Sequence, residues 1–84
     1  MDESVVLKSI AWNEAGGRGP LIGTATVATP PKGAFAFFIL GGLRFSITRS
    51  DPGGTALGFA YSGTRSAQSV KALFVPGAQL HLSR

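Results

Sequence analysis

The chain reads as two passes over one pattern. Laid over residues 9–42, residues 46–77 place Ser46-Ile47 on Ser9-Ile10, Asp51 on Glu14, and Gly53-Gly54 on Gly16-Gly17. Leu57-Gly58 then falls on Ile22-Gly23, Ala60 on Ala25, Thr64 on Thr29, Leu73-Phe74-Val75 on Phe38-Ile39-Leu40, and Gly77 on Gly42. One gap is needed, because Arg18-Gly19 has no counterpart. A period of roughly 36 residues is an architectural signal: units of that size share one core rather than each forming its own. The expectation is a single domain over 1–84, built from tandem units over about 5–41 and 42–84 and related by a pseudo-twofold.

The finer periodicity is that of strands. Leu43, Phe45 and Ile47 alternate with Arg44, Ser46 and Thr48, and Ala78, Leu80 and Leu82 alternate with Gln79, His81 and Ser83. A period of two places successive side chains on opposite faces of a strand. Leu57, Phe59 and Tyr61 likewise share a face opposite Ala56, Gly58 and Ala60. In the first unit Val6, Ile10 and Trp12 read as one face, with Lys8 on it. Turn signals fall between the runs at Glu14-Ala15-Gly16-Gly17, Pro30-Pro31-Lys32-Gly33, Gly41-Gly42, Asp51-Pro52-Gly53-Gly54 and Pro76-Gly77. The segment from Thr64 to Lys71 lacks breakers and is compatible with one helical turn. Gly23 and Gly58, inside matching strands, read as bends needed twice.

Six or seven short strands with paired bends predict an all-β fold, a small closed or partly open barrel, with a two-sheet sandwich as the alternative. Closure removes sheet edges, which matters in a chain with little charge to guard them.

Composition limits what such a fold can do. Only 14% of the 84 residues are charged, against about 25% in a typical domain, and the mean hydropathy is +0.24. So few charges predict a homo-oligomer. There is no cysteine and one histidine, which excludes a disulfide framework and a thiolate or multi-histidine metal site within one chain. No cofactor is expected, since neither phosphate-loop pattern stands in the sequence. The longest apolar run, from Ala34 to Leu43, is broken by Gly41-Gly42 and is far shorter than the about 20 residues a helix needs to span a bilayer. The acidic start, MDESVVLK, does not resemble a targeting segment, so the chain reads as cytoplasmic.

Candidate chemistry is sparse. Glu14 and Asp51 occupy matched positions and would form a proton-sharing pair if a twofold joined them, but each directly precedes a Gly-Gly turn, where acids bond their own backbone. His81, on the polar face of the last strand, reads as exposed or at a subunit contact, and Gly16 to Gly19 as a hairpin tip. No catalytic, cofactor or metal residue is assigned, and a non-enzymatic protein is expected. Charge is uneven: Lys8, Arg18 and Lys32 balance Asp2, Glu3 and Glu14 before residue 42, whereas Arg44, Arg49, Arg65, Lys71 and Arg84 face Asp51 alone after it. Arg44 and Lys71 are expected on neighbouring strands, and Arg44, Arg49, Arg65 and Lys71 as one basic stripe for nucleic acid or an acidic partner. Phe35, Phe37, Phe38 and Ile39 put apolar side chains on both faces of one strand and are the candidate protein interface. The leading expectation is a self-associating interaction or assembly module, of a kind suited to an accessory or regulatory protein of a phage or bacterium. The alternative is a nucleic-acid-binding barrel.

Overall fold

Alternation along the chain becomes a closed barrel of six antiparallel strands. The computed structural model describes residues 2–13 and 20–84. Its strands are β1 (Glu3–Trp12), β2 (Leu21–Val27), β3 (Phe37–Leu40), β4 (Leu43–Ser50), β5 (Ala56–Tyr61) and β6 (Gln79–Ser83), with one short helix, α1 (Ala67–Lys71), before β6. Around the wall the order is β1-β2-β5-β4-β3-β6, and β6 pairs back on β1. Every strand has two neighbours, so no ladder edge is left open. The signals at Glu14 and at Gly16 to Gly19, including the Arg18-Gly19 insertion, lie outside the described residues.

Glycine sets two of the turns. Gly41 and Gly42 both have positive φ (60° and 79°), as a two-residue hairpin matching strand twist requires. Their turn joins β3 to β4. At the β4–β5 turn Pro52 presets φ, Gly53 takes φ 74°, and the Gly54 N–H donates to the Asp51 carbonyl at 3.0 Å. At the end of the barrel holding the Gly41-Gly42 turn, α1 forms a lid. Ser66 caps it by accepting the Ser69 N–H, Val70 is fully buried, and Leu73 packs where a side chain on Gly41 would be.

The interior is aromatic. Phe38, Phe45 and Phe59 are fully buried, and Phe74 closes over them from beyond α1. Phe59 and Phe74 stack at 5.1 Å and Phe38 and Phe45 at 5.0 Å, while the other pairs among the four meet edge to face. Trp12 meets Phe59 and Phe74 edge on, and Tyr61 tilts against Phe45. The radius of gyration is 11.8 Å, close to the about 12 Å expected of a compact chain of this length. One chain therefore completes its own core.

Two sequence readings change. In β1 the inward residues are Val5 and Leu7, then Ile10 and Trp12, whereas Val6 is 40% exposed. The cause is a register shift between Leu7 and Ser9 in the pairing with β2. One extra residue in a strand reverses its facing beyond that point. The tandem overlay does not carry over to the facing of the strands either. It matches Gly23 to Gly58, 35 residues apart, yet the inward positions are Gly23, Ala25 and Val27 on β2 and Leu57, Phe59 and Tyr61 on β5. The overlay therefore matches residues on opposite sides of the wall, because facing is set within each strand and is not carried through the turns between them. Gly23 faces the core beside Trp12 and Phe59, and Gly58 faces out beside Thr48 and Arg49. The third match fails outright, since Leu73 to Val75 is not a strand.

Candidate interaction surface

The exposed large apolar residues, Val6, Ile22 and Val75, belong to three different parts of the chain, whereas β3 carries two large apolar side chains on one outward face. Phe38 and Leu40 take the inward positions, which leaves Phe37 and Ile39 half-buried on the outer wall. Phe38 is fully enclosed and so is not part of an interface, contrary to the sequence reading. Phe35, before the strand, packs partly on the core with the Arg84 guanidinium 5.8 Å from its ring.

Strand pairing surrounds Phe37 and Ile39 with polar groups of graded charge. Ile39 pairs with Arg44 on β4 and with His81 on β6, and His81 pairs with Ser4 on β1. Phe37 pairs with Ser46 and Ser83. Arg44 reaches diagonally to Phe37, with its guanidinium 3.9 Å from the ring centre. A cation over an aromatic face is held by the ring quadrupole, and here it also shields part of the ring from water. On the other side, the Ser83 hydroxyl donates to Asp2 Oδ1 at 3.1 Å, and Ser4 Oγ and His81 Nδ1 share a hydrogen bond of 3.0 Å. A shallow groove of about 290 Å³ runs between the apolar pair and this polar rim. The Ser4–His81 pair is exposed. Of the nearby carboxylates, Asp2 is engaged with Ser83 and Glu3 accepts the Lys32 N–H. The pair acts as a cross-strand contact on open wall, not in the water-excluded setting that makes a serine reactive.

The four basic residues do not form one stripe. Lys71 is the last residue of α1, not on a strand beside Arg44, and its Nζ lies 5.6 Å from the Trp12 ring centre. Arg65 precedes the helix cap, and its backbone N–H donates to Tyr61 Oη at 3.2 Å. Arg49 sits at the β4 register shift opposite Gly58, lining a groove with Thr24 and Asp51. Arg44 is near the start of β4, beside the α1 end. Charge therefore divides between the ends of the barrel. Among the described residues Arg44, Arg65 and Lys71 lie at the α1 end, whereas the three acids, Asp2, Glu3 and Asp51, lie at the other, with Lys32, Arg49 and Arg84.

Sequence reasoning singled out Phe37 and Ile39 as interface residues and Arg44 separately as part of a basic stripe. It did not bring Arg44 to Phe37, and it missed Asp2 and Ser83 as neighbours. The only available signal was the polar alternation of the last strand, which does not say which strands flank it. Among the described residues no three His, Asp or Glu side chains gather as a metal site, and no helix is long and apolar enough to cross a membrane. No protein-family model, curated protein or solved structure matches this chain.

Proposed function

We propose that this chain is a non-enzymatic assembly module of the cytoplasm that associates through the outer wall of β3, in the first place with copies of itself. The observation that carries this reading is the outward pair Phe37 and Ile39 on a barrel whose core is already filled by Phe38, Phe45, Phe59 and Phe74. Apolar side chains that the core does not need are stabilised when a partner removes them from water, by about 25 cal/mol per Å². The low charge content of the chain favours the same outcome. Light scattering from micromolar to millimolar concentration tests it: the mass is expected to rise toward a dimer or higher species, and a strict monomer throughout would remove the proposal.

One observation favours a second reading, nucleic-acid binding at the α1 end, where Arg44, Arg65 and Lys71 all lie. Exposed stacking rings do not accompany them, since Tyr61 is buried and Trp12 is packed against two phenylalanines. Binding through these three cations would follow counterion release, with affinity falling about 40-fold between 50 and 200 mM salt. Oligonucleotide titrations at the two salt concentrations read this directly, and absence of binding at the lower one ends it.

A further inference from the structure

We infer that the partner on the β3 wall is a second copy of this chain, docked about a twofold axis that runs parallel to the strands between β3 and β6. In this arrangement Arg44 of each copy meets Asp2 of the other. The inference rests on the self-association proposed above and specifies its geometry.

The order of groups across the wall makes the argument. At one level along the strands lie the Arg44 guanidinium over Phe37 on β3, then Ser83 on β6, then the Asp2 carboxylate held by Ser83 from the β1 side. Cation, ring, hydroxyl and anion thus follow one another in a line perpendicular to the strands. A twofold contact must place one surface on itself. With the axis perpendicular to the strands, Arg44 would face Arg44 and Asp2 would face Asp2, and like charges across an interface are costly. With the axis parallel to the strands, the line is reversed end for end and each Arg44 faces an Asp2. The two β3 strands then lie side by side across the axis, and their Phe37 and Ile39 side chains share one enclosed centre.

Barrel curvature selects the same residues. The wall is convex, so a docked copy touches chiefly β3 and β6, while β4 and β1 fall away on either side. Arg44 and Asp2 belong to those receding strands, but both lean back: one reaches the Phe37 ring and the other the Ser83 hydroxyl. Both charges are therefore available at the contact, and both residues are exposed in the single chain, so changing them leaves the core intact.

Charge reversal tests the geometry. Arg44→Asp alone and Asp2→Arg alone each create two like-charge contacts per dimer and are expected to weaken self-association at least about tenfold. Mixing the two single variants restores opposite charges at both contacts, so an equimolar mixture is expected to form a mixed dimer of near wild-type affinity. Both variants keep a net positive charge, so overall attraction does not produce that result. The double variant is expected to regain the homodimer, and the neutral changes Arg44→Gln and Asp2→Asn to weaken it less than the reversals do. Sedimentation velocity of each sample, with Trp12 fluorescence confirming the fold, provides the readout. A wild-type protein that stays monomeric overturns self-association itself. A wild-type dimer whose reversed variants associate normally, or whose mixture stays monomeric, overturns the twofold geometry and leaves self-association to another face.

Discussion

Phe59→Ala is expected to cost about 3–5 kcal/mol of stability, the range for emptying a buried phenylalanine site. Phe59 is fully buried on β5 and touches more rings than a single replacement could compensate: Trp12 at 5.5 Å, Phe38 at 5.3 Å, Phe45 at 5.6 Å and Phe74 at 5.1 Å. The neighbours cannot collapse inward freely, because Phe38 and Phe45 are fixed on paired strands by their register. A domain of this size holds about 4–13 kcal/mol in total, so this one change removes a large share of it. Each kcal/mol lowers the melting temperature of such a domain by about 4–8 °C, and a fall of some tens of degrees is expected by circular dichroism. Phe37→Ala removes the same atoms from the outer wall and is expected to cost less than about 1 kcal/mol in the single chain. Equal losses for the two variants would show that the inward and outward assignments on these strands are wrong.

Gly23→Val is expected to be nearly as damaging, by overfilling rather than by emptying. A Cβ at Gly23 would stand 2.9 Å from Phe59 Cζ, 3.0 Å from Trp12 Cε3 and 3.1 Å from the Ala11 carbonyl oxygen. Rings close off two sides and backbone the third, so the added atoms have nowhere to go without moving Trp12. Overfilled cores lose about 1–3 kcal/mol, occasionally more, and the β-branched valine belongs at the upper end. Since Trp12 is the only tryptophan, its displacement toward solvent should appear as a red shift of the emission. Gly58→Ala is the matched control. Its Cβ would meet Arg49 Cβ at 3.2 Å and Thr48 Oγ1 at 3.4 Å on the outer wall, so β4 need shift only a few tenths of an ångström at its register irregularity, and a change within about 0.5–1 kcal/mol is expected. Comparable losses at the two glycines would contradict their placement on opposite sides of the wall.

These contrasts mark what the sequence disclosed. The alternations of Leu43 to Thr48, Leu57 to Tyr61 and Ala78 to Ser83 predicted the facing of β4, β5 and β6 correctly, because large apolar and small or polar residues are cleanly segregated there. Gly41-Gly42 and Asp51 to Gly54 predicted their turns, since few residue types tolerate that backbone. β1 was misread because Val5, Val6 and Leu7 are all apolar, and a one-residue bulge leaves no compositional mark. The tandem overlay was persuasive for a similar reason: glycine and small apolar residues match under several offsets, and matching types does not constrain facing. At the candidate surface, the run Phe35, Phe37, Phe38 and Ile39 stood out because it is apolar in both phases. That does not say that Phe37 and Ile39 face outward, and Arg44 stood out only as one of four basic residues. Asp2 and Ser83 did not, because their proximity depends on β6 lying between β1 and β3, a long-range pairing with no local signature.

That pairing also orders events in time. The sixth strand is the partner of both the first and the third, so during synthesis two strands wait, each with one ladder unsatisfied, for the last segment to appear. Contacts between distant parts of a chain form slowly. Until β6 arrives, β1 and β3 each expose a template to which another nascent chain can add. The vulnerable period for this protein is therefore the interval before closure, when the polar alternation of Gln79, His81 and Ser83 has yet to cover the gap.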